Sequence, residues 1–294
     1  MYTLYLQVSQ APLYVIGGSR MIAPSDPDPL FAANHALAFL KCRKPLSTIV
    51  ARYAGIIEQQ LGNRMDIAAL DIGCGVGHFT FPFARLLSRH HGRIDALDSS
   101  PAMLDLLASR IAESGISNIR LIRDDFLSFR ADCRYSLFWL SDVLHLFERL
   151  DPVFSKISAA ADNSFLVAIR MSSHEQLTSY EWSRYFPDAL DADLRRHHDV
   201  AAVEACLRHH DFSSIEIQEI DETRLVPAKE YLRCFELKYL SSLRLLPESK
   251  YQVGMAALRA AVSRSTWVTR NARTTLILAR YENRAAQEGS LCRL

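Results

Sequence analysis

The chain has 294 residues and 49% hydrophobic content, ample for one sizeable buried core. Lys plus Arg number 34 against 33 Asp plus Glu, a net charge of +1, so nothing in the balance draws the whole molecule to nucleic acid or anionic lipid. No apolar run is long enough to cross a membrane. None of the six cysteines forms a C-x-x-C pair, which gives no indication of a zinc ribbon or a thioredoxin-type site. Scattered in this way, they read as reduced thiols of a cytoplasmic protein.

Residues 1–25 read as an N-terminal extension of low order, without the positive charge that opens a secretory leader. From Asp28 to Gln60 the pattern is helical. Apolar strand runs and helical runs then alternate. IAALDIG (67–73), RIDALD (93–98), NIRLIRDD, YSLFWLSD and NSFLVAIR (163–170) are expected strands, separated by helices. That rhythm predicts a parallel sheet covered on both faces. After Arg170 it breaks into a stretch rich in aromatic and polar residues up to Asp191. DVAAVEACLRHHDF returns as a helix and SIEIQEID as a strand. A mainly helical run covers 227–265, ARTTLILARYEN is the closing strand, and 285–294 is a tail.

ALDIGCGVGHFTFPFA places a strand, three glycines in five residues and a helix in succession. Such turns hold nucleotides. A dinucleotide pattern beginning at Gly73 would need a small residue where His78 stands, which argues against a nicotinamide-dependent oxidoreductase. Asp71 ahead of Gly73, Gly75 and Gly77 suits a cationic ligand better than a pyrophosphate. Across LDIGCGVGHFT the sequence resembles the first motif of the class I S-adenosylmethionine-dependent methyltransferases. The likeness is firm over Asp66–Arg170. LKCRKPLSTIV, RYFPDALDADLRR and KYLSSLRLLPESKY add a looser likeness to the trans-aconitate methyltransferase small-molecule branch.

The resemblance implies an α/β fold: a Rossmann-like, doubly wound sheet of seven strands in the order 3-2-1-4-5-7-6. One methyltransferase domain would span 26–284, with cap elements from 28–60, 171–191 and 227–265. It implies S-adenosylmethionine as cofactor and S-adenosylhomocysteine as product. Backbone groups of Gly73, Cys74 and Gly75, with Asp71 and Gly77, would wrap the amino-acid part. Asp98, followed by Ser99, would take the ribose hydroxyls, and Met103 would cover the adenine. Asp125, with Asp124 as its rival, and Phe126 would meet the adenine edge. Ser141, Asp142 and His145 would lie beside the reactive methyl, His145 being the first candidate base and Asp142 the second.

The reaction expected is in-line transfer of methyl to an oxygen, nitrogen or carbon of a small-molecule acceptor, with alignment and a dry site as the protein's main contributions. Protein or RNA methylation and a non-catalytic cofactor-binding subunit are the alternatives. No nucleic-acid or membrane partner is expected, and a homodimer is compatible with the sequence. The histidine pairs at 90–91, 197–198 and 209–210 lack metalloprotease framing and read as solvated surface, with no metal site. Arg195 and Arg196 also read as solvated, with one of them free to meet a substrate carboxylate. Tyr180, Trp182, Tyr185 and Phe186 are offered as a substrate wall.

Overall fold

The computed structural model describes residues 33–283. The expected N-terminal extension, the opening of the first helical run at Asp28 and the tail at 285–294 lie outside the described residues. Two helices, α1 (Ala33–Cys42) and α2 (Ser47–Leu61), precede the sheet. The alternating part is β1 (Ala68–Ile72), α3 (Thr80–Ser88), β2 (Arg93–Asp98), α4 (Pro101–Ser114), β3 (Ile119–Arg123), β4 (Tyr135–Ser141), α5 (Asp151–Ala160) and β5 (Ala161–Met171). Then come α6 (His174–Ser179), α7 (Pro187–Arg196), α8 (Val200–His209), β6 (Ser214–Pro227), α9 (Ala228–Glu236), α10 (Glu248–Val262) and β7 (Trp267–Glu282). The seven strands form one sheet in the order β3-β2-β1-β4-β5-β7-β6, as the resemblance implied. β1 to β5 are parallel, while β7 runs antiparallel to both β5 and β6.

The strands at the centre are apolar because both faces are covered. Every residue of β1 is buried. Along β4, side chains alternate between two layers. Tyr135 and Phe138 join the core under α5 and α8, and Trp139 joins the core under α2 and α3. Trp139 is fully buried among Phe83, Phe79 and Tyr53, with ring centroids 4.7, 5.1 and 5.8 Å away. Each such ring pair adds about 0.5–1.5 kcal/mol beyond simple burial. Helix starts follow local chemistry. Ser100 accepts from the Met103 N–H, and Pro101 sits at the first helical position of α4. Ser173 and Gln176 form a capping box on α6, inside the stretch where the sequence showed only a break in rhythm.

β6 and β7 exceed their expected lengths of 214–221 and 272–283. β5 pairs with β7 from Thr275 to Glu282 only, whereas β6 and β7 continue to pair out to Pro227 and Trp267. The overrun is a two-stranded ribbon that leaves the sheet and reaches into the cap. The cap has its own core, with Phe186, Phe235, Tyr251 and Met255 buried and the Phe186 and Phe235 rings stacked at 5.5 Å.

The expectation of reduced thiols is corrected at one pair. Cys42 at the end of α1 and Cys234 in α9 form a disulfide, with Cα atoms 5.6 Å apart. Cys74, Cys133 and Cys206 are free, and Cys292 lies outside the described residues.

Gly254 in α10 marks the closest approach within the cap. A Cβ there would sit 2.4 Å from the Phe186 ring and 2.6 Å from the Tyr185 carbonyl oxygen. In an open helix, Gly→Ala stabilises by about 1 kcal/mol. Gly254→Ala should instead destabilise by about 1–3 kcal/mol, because overpacking outweighs propensity. A thermal melt should show a midpoint lowered by several degrees, on the scale of about 2–4 °C per kcal/mol. A raised midpoint would contradict this packing.

Candidate active site

The turn after β1 runs along the carboxyl edge of the sheet, where the strand order reverses. Gly73, Gly75 and Gly77 all have positive φ, at 69°, 53° and 79°. At Gly73 a Cβ would also lie 2.5 Å from Val143, so glycine is required twice over. Asp71, at the end of β1, is buried and accepts a 2.6 Å hydrogen bond from Thr80 Oγ1. Burial pushes its carboxyl up to about 7, against the lowering effect of that bond. Burial likewise pushes the Cys74 thiol well up, so Cys74 is no nucleophile.

Asp98 closes β2. Its Oδ2 accepts from the Gly75 N–H and its Oδ1 from the Ser100 N–H, both at 2.8 Å. The carboxylate therefore ties the glycine turn to the start of α4. Burial raises its pKa, while these backbone donors pull the other way. α1 lies over the turn. Its Phe39 is 3.6 Å from where a Gly75 Cβ would be and stacks on His78 at 5.8 Å. Ala36 of α1 packs with Val76 and Met103.

A cavity of about 170 Å³ opens beside the turn. Asp71, Gly73, Cys74, Ser141, Asp142 and His145 line its inner end. Asp98, Ser99, Met103, Asp125 and Phe126 lie outside that lining. Met103 is buried beneath α1, and Phe126 is buried in the main core against Phe147, at 6.1 Å. Asp125 Oδ1 accepts from the Leu127 N–H at 2.9 Å, and Asp124 Oδ1 accepts from the Asp125 N–H at 2.8 Å, so both shape the loop after β3.

Asp142 departs from its expected role. Its backbone has φ 52°, and its Oδ2 takes Arg43, the residue after α1, at 2.9 Å and Arg170 from β5. Burial alone would raise the carboxyl, but the two arginines outweigh it and hold it near about 2. Asp142 is thus a fixed anion and a poor base. His145 stands in a short 3-10 helix after β4 and stacks on His197 with centroids 4.5 Å apart. Burial first, then the neighbouring His197, hold its imidazole well below the ordinary range. It is neutral at physiological pH, able to accept a hydrogen bond.

Of the paired histidines, His91 and His209 are exposed as expected, and the other four are less so. A ring nitrogen of His90 lies 2.8 Å from the Arg64 carbonyl, one of His197 2.8 Å from that of Asp193, and one of His198 2.8 Å from that of Phe147. His210 lies 3.0 Å from Asp151. Arg195 is exposed, as expected, but Arg196 is paired with Asp193 at 2.6 Å and bonded to Ser241. The aromatic segment divides. Tyr180 and Trp182 line the cavity, whereas Phe186 belongs to the cap core. Sequence reading passed over Arg170, Trp139, Tyr231, Tyr239, Arg224 and Arg270, which also line the cavity. Arg43 carried a signal only through the loose likeness of LKCRKPLSTIV.

Residues 69–163 match the family model described as methyltransferase domain. No curated protein matches the sequence. Among solved structures, the chain is similar to Haemonchus contortus phosphoethanolamine N-methyltransferase 2 in complex with phosphomonomethylethanolamine and S-adenosylhomocysteine. The identity is 14% and the TM-score 0.56, over 86% of this chain and 58% of that one. The chain thus spans little more than half of that enzyme's length. The same enzyme with S-adenosyl-L-methionine gives 13% identity and a TM-score of 0.55 over 87% and 58% of the two chains. A structure described as a methyltransferase from an antibiotic biosynthesis pathway of Anabaena variabilis gives 15% identity and a TM-score of 0.60, over 78% of this chain and 96% of that one. At these identities the likeness speaks for the fold, while the domain match covers the glycine turn, Asp98 and the end of β4. Residues 69–163 therefore carry a methyltransferase domain, on a fold that the chain shares with these enzymes.

Proposed function

We propose that the chain methylates a small-molecule acceptor held between the glycine turn and the cap. One observation carries this reading. The cavity beside Gly73 and Ser141 is roofed by α1, the α6–α7 connection, α9 and the β6–β7 ribbon, through Phe39, Tyr180, Trp182, Tyr231 and Arg270. Such a space suits a compact ligand, not a polymer lying in a groove.

The residues at the turn fit the cofactor. Positive φ at Gly73 and Gly75 brings bare backbone to the ligand, and Asp71 offers a carboxylate for an ammonium. Asp98 keeps acceptor capacity for the ribose hydroxyls beyond its two backbone bonds. When bound, S-adenosylmethionine supplies a methyl group on a cationic sulfur for in-line transfer. The chain's own part is alignment and exclusion of water. Trp139 and Phe79 wall the inner end, and Asp142 fixes Arg43 and Arg170 there. His145, neutral, accepts a hydrogen bond from the acceptor nucleophile and so orients it.

His145→Ala should lower turnover by about 10²–10⁴ while cofactor affinity stays intact. The assay is methyl transfer to a panel of small amines, acids and phenols, with protein and RNA as competing substrates. Transfer to macromolecules alone would overturn the small-molecule reading. A folded His145→Ala enzyme with unchanged turnover would remove the histidine from the reaction.

The Asp71 carboxyl makes cofactor affinity pH-dependent. In the free protein burial favours its protonated form, and an ammonium ligand favours the ionised form. Binding therefore releases a proton below about pH 7. Affinity should rise with pH by up to about tenfold per unit between roughly pH 5 and 7, then level off. Calorimetry on Asp71→Asn should give a flat profile over that range. A wild-type profile with no slope would contradict an ammonium contact at Asp71.

A further inference from the structure

The end of the cavity away from the glycine turn is formed by the ribbon of β6 and β7, and its chemistry differs from that of the inner end. Arg224 and Arg270 are directly opposed cross-strand partners, so their side chains leave the same face, and both line the cavity. Like charges directly opposite each other on an antiparallel pair oppose folding. Here the pair is also withdrawn from water. Arg224 keeps only 21% of its side-chain exposure, and burial, then the charge of Arg270, lowers its pKa.

The cavity's other arginines each have a carboxylate partner in place. Arg43 and Arg170 share Asp142, and Arg196, just outside, has Asp193. At the ribbon end, two carboxylates are near and both are already engaged. Glu222 Oε1 lies 3.9 Å from Arg224 and accepts from the Leu46 N–H at 3.4 Å. Glu181 Oε1 accepts from the Asn271 N–H at 2.7 Å. Among the described residues, no carboxylate lies within 4.0 Å of Arg270. Its guanidinium is positioned by two tyrosines instead. It lies 5.9 Å from the Tyr231 ring centroid and 5.8 Å from that of Tyr239, and it donates to the Tyr239 hydroxyl at 3.3 Å. Rings hold a guanidinium without neutralising it, leaving its donor fork for an oxyanion.

We propose that Arg224 and Arg270 bind an anionic group of the methyl acceptor, a carboxylate or a phosphate, at the ribbon end of the cavity. The inference rests on the small-molecule reading above and narrows it to acceptors with a nucleophile at one end and an oxyanion at the other. The planar fork of Arg270 matches two oxygens of such a group, and Arg224, whose Nη1 already donates to the Lys44 carbonyl at 2.8 Å, adds its charge and its remaining donors. The anion would also offset the repulsion between the two cations, so binding should stiffen the ribbon.

The test uses the full chain with S-adenosylhomocysteine and reads calorimetric binding and thermal midpoint, not turnover. The probes are inorganic phosphate and glutarate at matched ionic strength. One of them should bind at millimolar concentration and raise the midpoint, and which one does so separates phosphate from carboxylate acceptors. Arg270→Gln and Arg224→Gln should each weaken binding by about tenfold or more, the scale of one bond to a charged group. Arg270→Lys should retain part of it, and exposed Arg195→Gln should change nothing. Binding of neither probe would overturn the proposal, as would binding equal in wild type and both Gln variants. If Arg270→Gln lowers the midpoint of the free protein and leaves the anion response intact, the guanidinium is a structural brace and the proposal fails. Turnover of a neutral small acceptor without any anion response would sink the oxyanion pair alone, whereas transfer only to macromolecules would sink the parent reading.

Discussion

The cavity depends on one carboxylate. Asp142 sits just past β4 with a left-handed backbone, and its N–H donates to the Arg170 carbonyl of β5 at 2.9 Å. Its side chain grips Arg170 and reaches across to Arg43 at the end of α1. Three elements far apart in sequence meet at a single charge. Arg170 also passes over the rings of Phe79 and Tyr53, at 5.7 and 5.9 Å, which ties the charge cluster to the aromatic layer under α2 and α3. Breaking this half-buried cluster costs less than the roughly 3–5 kcal/mol of a fully buried pair, but still leaves two cations without their partner. The roof over the glycine turn is therefore held down electrostatically as well as by apolar contact.

The sequence made the sheet legible because its signals are local. Apolar runs bounded by turn residues located β1 to β5, and β2 coincides with RIDALD residue for residue. The glycine turn was visible because three closely spaced glycines mark a backbone need, and Asp98 entered through the resemblance of the motifs around it. What stayed hidden depends on long-range pairing. Arg43 and Asp142 are 99 positions apart, and Cys42 and Cys234 are 192 apart. Nothing near Asp142 says that two arginines will neutralise it, so as a sequence it read as a candidate base. The true ends of β6 and β7 were hidden for the same reason: each strand is prolonged only by the other.

That prolongation gives the fold its chemistry beyond the sheet. In the overrun, alternate residues of β6 and β7 face the cavity, which puts Glu222 and Arg224 opposite Ala272 and Arg270. The sheet thus supplies two different walls. Its carboxyl edge presents glycine backbone and a buried acid, and its ribbon presents cations set against tyrosine rings.

The bond between Cys42 and Cys234 bears on how that cavity can open. It closes a chain segment of 192 residues that contains β1 to β6. In the chain-entropy picture, closing so long a loop removes about 5 kcal/mol of freedom from the unfolded ensemble. In the folded molecule it makes α1 and α9 a single moving part. Neither helix can peel away alone. The seam joins the Arg43 side of the cavity to the Tyr231 side, so these two walls hold a fixed distance from each other while the bond is intact.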